Sequence, residues 1–475
     1  MEKNRLIKCF GLVLATILTV AFCSPAWAIS IKEEEKLARE FMKYIGRKYE
    51  LINDPTIVGY VESVGKKILA VVPPQPFEYH FYVIKEDVYN AFATPAGHVF
   101  INSGLLAALE NENELAGILG HEIAHVVNRH ISKRIERSKK IDLAAMAGMV
   151  AGVFLGAATG DPAAMQTLTI GSAAAGQTAS LAYSRDDEAQ ADQCGLEYIQ
   201  KAGYDPRGLL TALQKIRSKQ WFGSKQIPTY MMTHPALEDR LVWVDSWSNV
   251  KKSDHRPQKA PVTKPPSAQF RKISIRLKAL HGDPQTALQE FQTALKKNPK
   301  DSDMHYGYGL VLARVGKKTE AVRHIKQALA KNALDPYILT DLGRIYFMDG
   351  RYREALNTLE GALSITADNP EGLFYLGRSQ MELDQMGAAA ETFNTLINKY
   401  KNYKQAYYAL GETYGRLNDM PDAHYYLGIF YYKKSEYRTA RFHLDKARRM
   451  LEDPAKLETV EKTLEAMDPL SKEKK

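Results

Sequence analysis

Four glycines, Gly309, Gly343, Gly377 and Gly411, stand 34 residues apart, and Ala321, Ala355, Ala389 and Ala423 each follow their glycine by twelve. Small residues at fixed offsets let paired helices pack closely, and Leu342, Leu376 and Leu410 supply the apolar filling between them. One such pair cannot bury its own apolar face, so residues 268–470 are restricted to an all-α superhelix with a concave surface. Ala287 fits the register although Ile275 occupies its glycine position. Gly428 and Ala440 begin a further unit only 17 residues after Gly411, so one helix is expected to serve two repeats. Tyrosines such as Tyr375, Tyr408, Tyr426 and Tyr432 divide in expectation between packing and the concave face. Nothing in this array carries chemistry of its own.

The chemistry lies upstream, in the run NENELAGILGHEIAHVVNRH. Leu115, Ile118, Leu119, Ile123 and Val126 recur at helical spacing, and Asn111 with Glu114 reads as an N-terminal capping pair. On such a helix His121 and His125 share one face, suited to hold one zinc ion per chain, with Glu122 beside the water as general base. A zinc site of this kind needs a third protein ligand. In SRDDEAQADQCGLEYIQKAGYDP, Ser184 and Asp187 cap a helix that Gly203 ends, and Glu188 and Asp192 share a face. Glu188 is the candidate ligand, and Asp192 the acceptor that orients a ligand histidine. His130, five residues beyond His125 and off the ligand face of an unbroken helix, is left out of the site.

The remaining chain frames these two regions. A basic start, an apolar run and SPAWA read as a secretory signal over residues 1–28, cleaved after Ala28; a retained anchor is the rival. Cleavage leaves Cys194 alone, unable to form an internal bridge, and lowers the formal net charge from +9 to about +7. That excess shows no nucleic-acid signature. FEYHFYVI and HVFINSGLL read as strands, so residues 29–248 are expected to be mainly α with a small β-sheet. Ala96, Gly97, His98 and Val99 are expected to pair with an extended substrate backbone. The Ala/Gly-rich stretch 141–183 reads as a buried hairpin, with a mobile cover or a peripheral membrane contact as alternatives. Residues 249–267, basic and proline-rich, read as a linker.

Taken together, NAFATPAGHVFINSGLL, HEIAHVVNRH, SRDDEAQAD and THPALEDRL resemble, in this order, the gluzincin metallopeptidases related to the CAAX prenyl protease and the membrane heat-shock protease. The 34-residue period is that of tetratricopeptide repeats. The resemblance implies zinc ligands His121, His125 and Glu188, a base at Glu122, and a supporting carboxylate at Asp192. It further implies that His234 lies near the metal, either restraining the enzyme or helping catalysis, with Arg240 in the same motif. Repeat-bearing members of this kind imply an exported protein of a Gram-negative periplasm. Its substrates would be unfolded or misassembled outer-membrane β-barrel proteins, and its docking partner the barrel-assembly machinery. The alternative is a chaperone or scaffold that acts through its repeats and keeps a latent metal site.

Overall fold

The computed structural model describes residues 29–137, 183–221, 229–253 and 267–467. The expected signal segment and nearly all of the Ala/Gly-rich stretch therefore lie outside the described residues. Contacts divide the chain into two units, Met1–Ile273 and Ser274–Lys475.

The first unit opens with α1 (Ile31–Lys48), where Ser30 and Glu33 form a reciprocal capping box. Strand β1 (Leu51–Ile52) leads to α2 (Pro55–Leu69), started by Asp54 and a proline in its first turn. Then come β2 (His80–Ile84), β3 (Ala91–Thr94), a 3-10 turn (Pro95–Gly97), β4 (His98–Asn102) and the short α3 (Ser103–Ala108). The sheet order is β1-β2-β4-β3. β2 and β4 are parallel, with Phe81 opposite Val99, and β3 and β4 antiparallel, with Phe92 opposite Phe100. Phe92 and Phe100 stack at 4.8 Å and pack with Phe41 and Ile45 of α1 in the core.

The sheet corrects one expectation. His98 and Val99 lie on β4, which has a strand on each side, so their backbone is already paired and cannot take up a substrate chain. Ala96 and Gly97 lie in the turn, where Ala96 has φ 62° and Gly97 φ 81°. The edge strand beside β4 is β3, which the sequence reading missed because its four residues, AFAT, are too short and too alanine-rich to signal a strand.

Five further helices follow in this unit: α4 (Glu112–Val127), α5 (His130–Arg137), α6 (Arg185–Lys201), α7 (Arg207–Trp221) and α8 (Thr229–Thr233). They are followed by α9 (Leu237–Ser253), which runs into the first residues of the segment 249–267 expected as a linker.

Helix pairs fill the second unit. α10 (Ala268–His281) crosses the division, and α11 (Pro284–Lys297), α12 (Ser302–Arg314), α13 (Lys318–Ala328), α14 (Pro336–Met348) and α15 (Tyr352–Ile365) follow. The chain continues through α16 (Pro370–Glu382), α17 (Met386–Lys399), α18 (Lys404–Arg416), α19 (Met420–Lys433), α20 (Tyr437–Met450) and α21 (Pro454–Met467). The repeated glycines do what their period implies. A Cβ added at Gly343 would stand 2.5 Å from Leu359, and one at Gly377 would stand 2.6 Å from Phe393. Gly411 of α18 receives Leu427 of α19, while Gly428 of α19 receives Leu444 of α20, so α19 belongs to two successive pairs. Of the tyrosines, Tyr426 is buried and Tyr408 exposed. Among the described residues no helix is long and apolar enough to cross a membrane.

Candidate metal centre

Helix α4 is buried on every side, from Glu114 to Val126. The Asn111 side chain accepts from the Glu114 N–H and starts it as expected. Helix α6 can lie directly across it because neither helix has a side chain at the crossing. A Cβ at Gly195 would stand 3.1 Å from the Gly120 carbonyl carbon, and one at Gly120 would stand 2.3 Å from Ile199. This close approach places Glu188 and Asp192, respectively seven and three residues before Gly195, over His121 and His125.

All four groups are fully or almost fully buried, as are Glu122 and His234. One donor atom each of His121, His125, Glu188 and His234 lies within 4.8 Å of the others, a cluster that can hold a metal ion. The two Nε2 atoms of His121 and His125 are 3.0 Å apart. Glu188 reaches His121 Nε2 at 3.5 Å and His125 Nε2 at 3.3 Å. His234 Nδ1 lies 3.1 Å from Glu188 Oε1 and 3.3 Å from His121 Nε2. His121 Nδ1–H donates to Asp192 Oδ1 at 2.8 Å, which leaves the Nε2 lone pair facing the cluster.

Arg240 supplies the balancing charge. Its guanidinium donates to both oxygens of Asp192 at 2.7 and 2.8 Å and stands 2.6 Å from Glu188 Oε2. Burial alone would raise the Glu188 carboxyl, but the Arg240 charge and the neighbouring imidazoles hold it well below the usual carboxylate range. Burial and Arg240 both act to lower His121, yet the bond to Asp192 prevails and its pKa is pushed up to about 9.

Glu122 stands apart from these partners. Both its carboxylate oxygens are buried without a hydrogen-bond partner among the described residues, His234 Nε2 stands 3.6 Å away, and burial raises its pKa. A buried carboxylate left without a donor, beside converging imidazole and carboxylate atoms, is the arrangement a metal ion and a water molecule complete.

The structure therefore gathers His121, Glu122, His125, Glu188, Asp192, His234 and Arg240 in one place, and sets Ala96, Gly97, His98 and Val99 in a turn and an interior strand. Sequence reasoning missed three neighbours. Tyr183 stacks on His125 with ring centres 3.6 Å apart, and Tyr230 stacks on His234 at 4.2 Å; neither carries a local signal. His130 Nδ1 lies 2.8 Å from His125 Nδ1. The helix does not continue through it: α4 ends at Val127 and Arg129 takes φ 53°, which turns His130 back. Asn128, a residue common at helix ends, was the one available sign. Next to this corner, Ala93, Thr94 and Pro95 line a small open pocket with His125, His130 and Tyr183.

Residues 58–248 match Peptidase family M48, and 279–336, 309–370 and 346–402 match tetratricopeptide repeats. Over 213 residues the chain is 30% identical to the beta-barrel assembly-enhancing protease of Yersinia pestis, covering 45% of this chain and 43% of that one. It is 28% identical over 226 residues to the mitochondrial metalloendopeptidase OMA1 of Schizosaccharomyces pombe, covering 46% of this chain and 62% of the relative. A crystal structure of MamA is similar at 18% identity and a TM-score of 0.30, covering 36% of this chain and 95% of MamA. The chain spans less than half the length of the first of these relatives. Residues 58–248 are a metallopeptidase domain of family M48, carried in one chain with tetratricopeptide repeats.

Proposed function

We propose that this chain is a zinc metalloendopeptidase of the periplasm that cleaves unfolded or stalled outer-membrane β-barrel proteins, its repeats recruiting clients or the barrel-assembly machinery. The observation that carries the peptidase reading is the Glu122 carboxylate, buried and without a donor beside four converging ligand residues. His121, His125 and Glu188 would hold the zinc. Once bound, zinc supplies a Lewis acid that makes water acidic near neutrality and polarises the scissile carbonyl. Glu122 takes the proton from the attacking water and returns it to the leaving amine, and its burial-raised pKa suits it to both transfers. Asp192 fixes the tautomer of His121, and Arg240 keeps the two buried carboxylates anionic. Edge strand β3, beside the pocket next to His125, is the place for an extended substrate backbone. The client and compartment proposals are supported by the names of the 30% identical bacterial relatives and by the signal-like first 28 residues.

A second reading is favoured by His234. Its Nδ1 sits among the ligand atoms, where it fills the position that water and substrate need. The resting enzyme would then be latent, with binding by the repeats as its constant activity. Zinc content and cleavage of an unfolded protein, compared among the native chain, Glu122→Gln and His234→Ala, separate the two. Cleavage lost in Glu122→Gln and raised in His234→Ala supports a restrained peptidase. Bound zinc without cleavage in any of the three overturns the peptidase reading in favour of the chaperone or scaffold.

A further inference from the structure

We propose that His130 and Gln190 form a hydrogen-bond relay that sets the tautomer and aim of His125, and that both are positioning residues for the metal. The inference rests on the zinc reading above. Gln190 Oε1 lies 2.9 Å from His130 Nε2, and an amide oxygen only accepts. The proton of His130 therefore sits on Nε2, and its Nδ1 carries a lone pair. That lone pair lies 2.8 Å from His125 Nδ1, which must then be the donor. With Nδ1 protonated, the basic nitrogen of His125 is Nε2, the atom that faces His121 Nε2 at 3.0 Å and Glu188 Oε1 at 3.3 Å. His121 receives the same orientation from Asp192 directly. The two ligand histidines are thus held by different acceptors: an anion for one, and a neutral ring for the other.

The relay is built into the backbone. Arg129, at φ 53°, reverses the chain between α4 and α5, and its guanidinium is fastened to buried Glu34 and donates to the Ile29 carbonyl at 2.6 Å. A residue at position 130 of an uninterrupted helix would point away from His125. Gln190 comes from α6, two residues past the Glu188 ligand, so the relay ties the second ligand histidine to the helix that carries the third ligand. Tyr183 lies over the His125 ring and blocks rotation about its plane.

Zinc affinity of the full chain, measured by competition with a chromophoric chelator, tests the relay, with the absorption spectrum of the cobalt-loaded chain and the melting temperature of the metal-free chain alongside. Removing an orienting partner of a ligand histidine weakens metal binding by about 10- to 100-fold. His130→Phe, which keeps a ring but no acceptor, is expected to show that loss, and His130→Asn, which restores an acceptor oxygen, to recover part of it. Gln190 is exposed, so its variants test the relay even if His130→Phe fails to fold. Gln190→Glu, a stronger acceptor, is expected to tighten zinc several-fold and shift the cobalt bands, and Gln190→Met to weaken it, with the metal-free melting temperature unchanged in both. Native-like zinc affinity and cobalt spectra in both Gln190 variants would overturn the relay while leaving the zinc reading intact. A native chain that binds no zinc would overturn both.

Discussion

Each unit hides a cluster of charges, and the two clusters are balanced differently. In the repeats, Arg276 of α10 pairs with Asp341 of α14 and with Glu371 of α16 at 2.6 Å, and Arg344 reaches the same two carboxylates at 2.8 and 3.3 Å. Tyr306 donates to Asp341 at 2.8 Å. Two cations meet two anions across three helices, and each carboxylate has a donor. In the peptidase unit Arg240 faces Glu188 and Asp192, but Glu122 has no donor among the described residues, and the ligand atoms of His121, His125, Glu188 and His234 converge on one point. A balanced cluster fastens helices together; an unbalanced one marks where something else must bind. The buried polar groups alone do not separate structure from chemistry, and the surplus does.

The sharpest break between the clusters is expected at Glu122. Glu122→Gln should cut peptide cleavage by about 10²- to 10⁴-fold or more, while the melting temperature holds or rises, because a buried carboxylate without a donor costs stability. A large fall in melting temperature would mean that Glu122 is structural after all. At Asp341 the expectation is reversed. Asp341→Ala leaves two buried guanidinium groups to share Glu371 alone and should cost about 3–5 kcal/mol in urea unfolding, with the zinc content unchanged. An Asp341→Ala chain as stable as the native one would show that the repeat cluster fastens nothing.

Glycines extend the contrast. Gly208 faces backbone, with a Cβ placed 2.0 Å from the Asn113 carbonyl oxygen, whereas the atoms nearest a Cβ at Gly377 belong to the Phe393 ring. Backbone yields less than a side chain, so Gly208→Ala should destabilise beyond the roughly 1–3 kcal/mol expected for Gly377→Ala. Phe393→Leu combined with Gly377→Ala should cost less than the two changes added, because the smaller side chain makes room. Additive costs would refute that account.

The smallest effect concerns acid. His424 and His443 of α19 and α20 face each other with Nδ1 atoms 2.9 Å apart, matching His305 and His324 of α12 and α13 at 2.8 Å. Burial lowers His424 and His324, and burial together with His424 and Lys446 pushes His443 down to about 4. The folded repeats thus hold the His324, His424 and His443 rings neutral, while the unfolded chain protonates them near pH 6.5. Their contribution is complete above that pH and drains away as pH falls toward about 4. Between pH 7.5 and 5 the melting temperature should fall by about 2–4 °C after screening by solvent, and His443→Gln should reduce the fall. A fall of the same size in that variant would assign it to other groups.

What the sequence discloses follows from distance along the chain. His121, Glu122 and His125 are legible because one helix fixes their relation, and Glu188 and Asp192 because they share a face on another. His234 and Arg240 are distant in sequence from both helices and rest on resemblance alone. His130 was misplaced because a helical projection assumes an unbroken helix, and Arg129 breaks it. The glycine period exposed the repeats readily, since the same contact recurs, yet β3, a single short edge, repeats nothing.

Helix α19, counted in two pairs, has a consequence for how the array can be edited. Arrays lengthened by whole repeats always gain helices two at a time, so the layer in which a helix sits can be read from its signature. The half-step at Gly428 gives α19 both signatures, the second-position one toward α18 and the first-position one toward α20. A graft that separates α19 from α18 or from α20 therefore has to supply its own side chain opposite Gly411 or Gly428.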